Sequence, residues 1–244
     1  MFLSLAIPSV LFFPTGTSAV PLLTPDRTPY SSPFPSPDSS PILFARGPNS
    51  CAPGGILDLG VVTLQLPTGS EGKVDTISSA RLAGCDGWRS KEYFYTERGA
   101  LVTKVPGSSN SSGCVTTLNS KHCRTELRDS INRLKVQLAV TEPDDSKSGT
   151  VIGQVKVDDE VSKKPVAELF YSNDVMLKLG VSQIPDYELK YQVGKLSIKI
   201  GASKEQIMDT GQISSPKSYF KVGNYNQGNS PSEVRFYRME VQHV

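Results

Sequence analysis

The stretch Tyr219-Phe220-Lys221-Val222-Gly223-Asn224-Tyr225-Asn226-Gln227 alternates in character with a period of two. A β-strand sends successive side chains to opposite faces, and a helix with this pattern would mix its apolar and polar sets. Read as a strand, Tyr219, Lys221, Gly223, Tyr225 and Gln227 share one face, while Phe220 and Val222 take the other. Phe220 and Val222 suit a hydrophobic core. Two phenols, an ammonium and an amide suit a binding face, with Gly223 leaving room between them.

Short β-rich runs separated by turn signals recur from Cys51 onward. Residues 61–66 end at Pro67-Thr68-Gly69, a turn signature. Residues 91–96 are aromatic and strand-like, and residues 133–140 alternate strictly, with Leu134, Val136, Leu138 and Val140 on one face. Further strands are expected at 150–157, 166–171, 175–179 and 195–200, the last after a tight turn at Val193-Gly194. The run 233–241 slips in apolar phase near Arg238, as at a β-bulge. Only residues 204–210 read as a helix. Many short strands in one chain predict an all-β sandwich, barrel or jelly roll, here as one domain over residues 49–244.

The N-terminal part has a different composition. Residues 1–13 form a short apolar run, and Thr17-Ser18-Ala19 places small residues where a signal peptidase cuts, so residues 1–19 read as a signal peptide despite lacking Lys or Arg. Residues 20–48 carry Pro21, Pro25, Pro29, Pro33, Pro35, Pro37 and Pro41, a density that defeats helix and sheet alike and predicts a disordered leader or linker. A secreted, extracellular protein is the expectation. Its four cysteines, Cys51, Cys85, Cys114 and Cys123, form no CxxC pair, and only His122 and His243 are available to complete a zinc site. They are expected to form two disulfides. Of the three pairings, Cys51–Cys85 with Cys114–Cys123 is favoured, because the second closes a short polar loop and braces the residue before Arg124. Asn110-Ser111-Ser112 is an N-glycosylation sequon in that loop.

Two further strands carry chemistry. In residues 123–129, Arg124, Glu126 and Arg128 share a face, and Glu126 is expected to orient both guanidinium groups for carboxylate binding. In residues 151–157, Gln154 and Lys156 share a face, opposite Val155 and Val157. Each strand alone also reads as a solvated charged surface. Three in one chain weaken that reading. The net charge of +2 supplies no global field for nucleic acid, so attraction for an acidic polymer must come from local Lys and Arg.

Arg124-Thr-Glu-Leu-Arg128, Gly153-Gln-Val-Lys156 and the stretch from Tyr219 to Gln227 resemble, in order, the three motifs of polysaccharide lyase family 7, the alginate lyase 2 group: R(S/T)ELR, Q(I/V)H and YFKxGxYxQ. The first and third match at every fixed position. The second departs, with Lys156 in the place of His. The resemblance implies a β-jelly roll of two antiparallel sheets with a concave groove for an acidic polysaccharide. The implied reaction is β-elimination on a 4-linked uronate. It further implies that Arg124 and Gln154 neutralise the substrate carboxylate, with Arg128 in support, and that Tyr225 is the acid and in some reactions also the base. Lys221 is expected to lower the Tyr225 pKa or bind a carboxylate, and Glu126 to orient partners rather than act as base. Tyr219, Lys156 and Gln227 complete the expected substrate-binding set. A buried core tyrosine is the plainer reading of Tyr225.

The lost His bears on substrate. Guluronate presents its C-5 proton anti to O-4 and calls for a separate base, which the family's His supplies. Mannuronate and glucuronate present the two groups syn, so one Tyr can serve both transfers. Lys156 therefore favours polymannuronate or β-1,4-glucuronan. His122, if the strand starts that early, shares the face of Arg124 and is a candidate neutraliser or base; otherwise it is a surface His beside a disulfide. His243 is incidental. There is no GxSxG, GxxxxGK(S/T) or HExxH motif, and nothing pairs Glu126 with Glu168 as a glycosidase would require. Asp144-Asp145 and Asp158-Asp159-Glu160 read as solvated turns rather than calcium ligands. The expectation is a monomeric lyase needing no cofactor, with no nucleic acid or membrane partner. The alternative is a non-catalytic carbohydrate-binding protein on the same fold.

Overall fold

The computed structural model describes residues 51–130, 132–171, 186–192, 195–209 and 218–242. The expected signal peptide, the Pro/Ser-rich leader, the strand at 175–179, the turn at Val193-Gly194 and His243 lie outside the described residues. Within them the chain forms strands β1 (Thr63–Ser70), β2 (Lys73–Ile77), β3 (Phe94–Glu97), β4 (Ala100–Val105), β5 (Arg124–Asp129), β6 (Arg133–Glu142) and β7 (Thr150–Val157). It continues with β8 (Ala167–Tyr171), β9 (Asp186–Gln192), β10 (Lys195–Ile200), β11 (Gln206–Asp209), β12 (Ser218–Tyr225) and β13 (Ser232–Gln242). Two short helices, α1 (Ser79–Leu82) and α2 (Ser109–Ser112), lie between strands.

The strands make two antiparallel sheets. One is six-stranded in the order β2-β1-β5-β12-β7-β8, and the other seven-stranded in the order β11-β10-β9-β6-β13-β4-β3. Alternation decides what lies between them. Leu134, Val136, Leu138 and Val140 of β6 are buried as expected and join Val234 and Phe236 of β13. From the six-stranded sheet Leu64, Leu127, Val155, Phe220 and Val222 enter the same core. Each such side chain contributes about 1.5–3 kcal/mol when fully buried. Asn224, on the core face of β12, is buried with its amide donating to Thr103 O (3.2 Å) and Ser232 O (2.8 Å). This ties the central strand of one sheet to β4 and β13 of the other.

The phase slip expected near Arg238 is a real bulge: the β13–β6 register shifts between Phe236 and Arg238, and Tyr237 is left exposed. Two local expectations are corrected. Pro67, Thr68 and Gly69 lie inside β1 at a register irregularity, and the chain reverses instead at Glu71-Gly72, where Gly72 takes a φ of +71°. A prolyl residue gives up one ladder donor without ending the strand. The helix expected at 204–210 is a strand over Gln206–Asp209, paired with β10. One turn of helix is too short to repay its nucleation, whereas the free edge of β10 offers ready backbone partners.

Cys51–Cys85 and Cys114–Cys123 are the disulfides, as expected. Cys123 directly precedes β5, so the second bridge anchors a loop beside that strand's first residue. The exposed Asn110 sits on α2, just before Cys114, and the first turn of α2 is closed by a capping box between Ser108 and Ser111.

Candidate active site

β12 is flanked by β5 and β7. The register sets Tyr225 beside Arg124, Gly223 beside Glu126 and Lys221 beside Arg128. On the other flank Tyr219 faces Lys156 and Lys221 faces Gln154. Laterally paired residues share a face, so the three strands deliver their polar side chains to one surface. A groove of about 190 Å³ lies there, lined by Arg124, Arg128, Gln154, Lys156, Lys221 and Tyr225, among others. Gly223 does not open space in it. A Cβ there would come within 2.4 Å of Thr125 O and 2.6 Å of Glu126 Cα, so glycine lets the two backbones approach.

Beneath the groove sits Glu126, 1% exposed. Its Oε1 accepts from Gln154 Nε2 at 2.9 Å and its Oε2 from Lys221 Nζ at 3.3 Å. Lys221 also donates to Gln65 Oε1 at 3.1 Å. Burial lowers the Lys221 pKa to about 8 against the opposing pull of Glu126. The expectation that Glu126 pairs with both arginines is met at Arg124 and corrected at Arg128. Arg124 Nη1 lies 3.9 Å from Oε2, and Arg128 is exposed with its guanidinium 4.8 Å from the centre of the Tyr219 ring. The lateral partner of Glu126 on β12 is Gly223, which has no side chain, so Lys221 from the diagonal position and Gln154 from β7 reach the carboxylate over it.

Tyr225 is 8% exposed. The Arg124 guanidinium lies 4.7 Å from its ring centre, and Ser120 Oγ lies 2.5 Å from its hydroxyl. Burial raises the phenol's pKa; Arg124 and Ser120 pull it back, while Glu126 and Glu168 add to the rise. The cation tuning Tyr225 is thus Arg124 rather than Lys221, whose partners are Glu126 and Gln65. Arg124 donates from Nη2 to His122 O at 3.2 Å, and among the described residues its buried Nε has no partner.

Tyr219 is a platform for cations: Lys156 Nζ lies 5.8 Å from its ring centre, besides Arg128. Lys156 also pairs with Asp159 at 3.5 Å. His122 precedes β5 and does not line the groove. Its ring meets the Tyr225 ring edge-on at 5.7 Å, and burial followed by the Arg124 charge lowers its pKa. Gln227 lies past the end of β12, against expectation, and its side chain turns back to Tyr225 O at 3.3 Å. Gln227 and His122 line an adjoining concavity with Asn110. Asp144 and Asp145 hold loops: they accept from the backbone N–H of Gln227 (2.9 Å) and Asn229 (2.6 Å) respectively.

Groove-lining residues outside the expected site set include Gln65, Glu168 and Ser120. Gln65 lay on the polar face of its own strand and was legible there. Glu168, beside Gln154 on β8, has its pKa raised by burial and then by Glu126. Ser120 arrives on the disulfide-closed loop and has no periodicity to reveal it.

Comparison with known proteins adds the family. Residues 57–243 match the sequence profile of the alginate lyase 2 family (alginate lyase). No curated protein sequence matches the chain. Similar solved structures include alginate lyase AlgAT5 from polysaccharide lyase family 7, at 20% identity and a TM-score of 0.61, covering 80% of this chain and 100% of that one. An alginate lyase of Pseudomonas aeruginosa shows 22% identity and a TM-score of 0.61, covering 77% and 100%. Alginate lyase AlyC3, solved in complex with dimannuronate, shows 17% identity and a TM-score of 0.60, covering 79% and 95%. These likenesses establish the fold as the β-jelly roll.

Proposed function

Because the chain belongs to the alginate lyase family and is a polysaccharide lyase, we propose that its groove cleaves a syn-configured 1,4-linked polyuronate, polymannuronate or β-1,4-glucuronan, by β-elimination. The observation that carries this reading is Tyr225, its hydroxyl in the groove and the Arg124 guanidinium against its ring. A uronate C-5 proton leaves only when charge building on the adjacent carboxylate is stabilised. The Arg124 guanidinium and the second amide hydrogen of Gln154 are donors for that carboxylate, and Glu126 and Lys221 hold Gln154 and each other in place. Arg128, Lys156 and Tyr219 bind neighbouring uronates along the groove.

Tyr225 performs both proton transfers. As phenolate, its oxygen takes the C-5 proton; the electron pair forms the C-4/C-5 double bond as the C-4–O-4 bond breaks. The phenol then gives a proton to the departing O-4 and returns to phenolate. Among the described residues lining the groove there is no imidazole, and Lys156 is paired with Asp159. This supports a syn substrate. His122 acts through packing and its carbonyl, not as a second base. Export, with residues 1–19 removed and Asn110 glycosylated, is supported by the two disulfides and by the exposure of Asn110.

The test follows ultraviolet absorbance of the new double bond on polymannuronate, glucuronan and polyguluronate. Product is expected from one of the first two, and Tyr225→Phe is expected to bind polymer and form none. Product from polyguluronate alone overturns the syn assignment. A near-parental rate in Tyr225→Phe removes Tyr225 from the chemistry.

A further inference from the structure

We propose that Ser120 is a positioning residue of this lyase, the fixed hydrogen-bond donor that keeps the Tyr225 oxygen open to both proton transfers. The proposal rests on the reading of Tyr225 as base and acid. Ser120 Oγ lies 2.5 Å from Tyr225 Oη, where either atom can donate. The base step selects the direction. A hydroxyl has one hydrogen and two lone pairs, and one lone pair of Ser120 accepts from the His122 N–H at 3.3 Å. Its hydrogen and second lone pair remain for Tyr225, and a phenolate, which can only accept, takes the hydrogen.

That direction serves both halves of the reaction. When Tyr225 is a phenolate it can only accept, and a Ser120 donor stabilises the charge while the remaining lone pairs face C-5. When Tyr225 is a phenol, the same donor occupies an oxygen lone pair and leaves the phenolic hydrogen free to point at O-4. Were Ser120 the acceptor, the phenolic hydrogen would be committed away from the leaving oxygen. The phenol therefore need not turn between the two transfers, in keeping with the advantage of donors preorganised for developing charge.

The loop is built to hold this atom. Cys114 and Cys123, nine residues apart, close it covalently. Within it Thr117 N donates to Ser120 O at 3.2 Å and Ser120 N to Thr117 O at 3.0 Å, while Val115 N donates to Pro67 O at 2.7 Å and fastens the loop to β1. The charged and titratable groups acting on Tyr225 come from other elements: Arg124 and Glu126 on β5, Glu168 on β8, and His122 at the loop's end. Among the described residues Ser120 alone combines hydrogen-bond reach of the Tyr225 hydroxyl with neutrality, so it donates without adding a charge that would compete for substrate carboxylate.

Ser120→Ala and Ser120→Thr separate this role from loop structure. In Ser120→Ala, kcat is expected to fall about a hundredfold with KM within about twofold. Ser120→Thr, which keeps the hydroxyl, is expected to restore most of kcat. The alkaline midpoint of Tyr225 is read from tyrosinate absorbance as the difference between each protein and the same protein carrying Tyr225→Phe. It is expected to move to higher pH in Ser120→Ala and to stay in place in Ser120→Thr. A parental kcat in Ser120→Ala, or a lower kcat with an unmoved Tyr225 midpoint, overturns the proposal. If Tyr225→Phe alone keeps its activity, the reading of Tyr225 fails first. If Tyr225→Phe is inert and Ser120→Ala is normal, only the role of Ser120 fails.

Discussion

At the scale of single residues, the group with the most consequence is one that never reaches the groove. Glu126 accepts from Gln154 and Lys221 while 1% exposed, so it fixes the Gln154 amide and neutralises one buried ammonium. Glu126→Gln keeps the shape and removes the charge. The new amide can accept from one neighbour, but its own N–H groups then oppose other donors, and Lys221 loses its counter-ion. Breaking one side of a buried pair destabilises by about 3 kcal/mol. Lys221 can escape by releasing its proton, which makes the loss depend on pH. In the parent its pKa is already depressed by burial to about 8 from an unfolded value of 10.5. The folded protein therefore binds fewer protons than the unfolded chain between those values, and this group's contribution to stability rises with pH across that window. Removing Glu126 depresses the folded pKa further and extends the window to lower pH. Urea unfolding should show a large deficit for Glu126→Gln near about pH 7 and a smaller one near about pH 9, where the parent's Lys221 is itself mostly neutral. A deficit equal at both pH values would remove Lys221 from the account.

At the scale of elements, the two disulfides should separate by function rather than by strength. Cys51–Cys85 closes a loop with a sequence separation of 34, and Cys114–Cys123 one of 9. On chain entropy alone each adds about 2 to 4 kcal/mol, the longer loop more. Only the short loop carries Ser120 to Tyr225. Replacing Cys51 and Cys85 by Ser should lower the thermal midpoint more while leaving kcat near parental. Replacing Cys114 and Cys123 should lower kcat at least about tenfold even well below the melting transition. Equal kcat in the two variants would detach the loop from catalysis. The strands around this loop were legible because period-two alternation is itself the physical rule that faces a strand to core or solvent. It placed Arg124, Glu126, Gln154, Lys156, Tyr219, Lys221 and Tyr225 on one surface before any pairing was known. Alternation cannot give lateral partners. Alternation offers Glu126 only its strand-mates Arg124 and Arg128, whereas across the side-chain-free Gly223 it also accepts from Lys221 and Gln154 of other strands. Gln206–Asp209 was misread for the same reason: its structure depends on a free edge of β10 that no local pattern reveals.

At the scale of the whole molecule, the sandwich concentrates charge that the chain's totals conceal. The net charge is +2, and read alone it promises no attraction for a polyanion. The fold gathers Arg124, Arg128, Lys156, Lys163 and Lys221 around the groove, against Asp159 and Glu168 in the same lining. Burial and the nearby Glu126 also raise the pKa of Glu168, so its negative charge is weakened further. A basic cleft in a low-dielectric wall focuses its field on the substrate path although distant surface charges nearly cancel. The consequence is a particular salt dependence. Groove cations exposed to solvent, Arg128 and Lys163 among them, are screened as the Debye length falls from about 10 Å at 0.1 M salt to about 3 Å at 1 M. Arg124, Gln154 and Tyr225, buried within the fold, are screened far less. Raising sodium chloride across that range should therefore raise KM for the polyuronate several-fold, about threefold to tenfold, with kcat changing less than about twofold. A KM independent of salt would mean that the exposed cations do not recruit the polymer. A kcat falling in step with binding would mean that the neutralising groups are as open to solvent as the rim, contrary to the burial of Arg124 and Gln154.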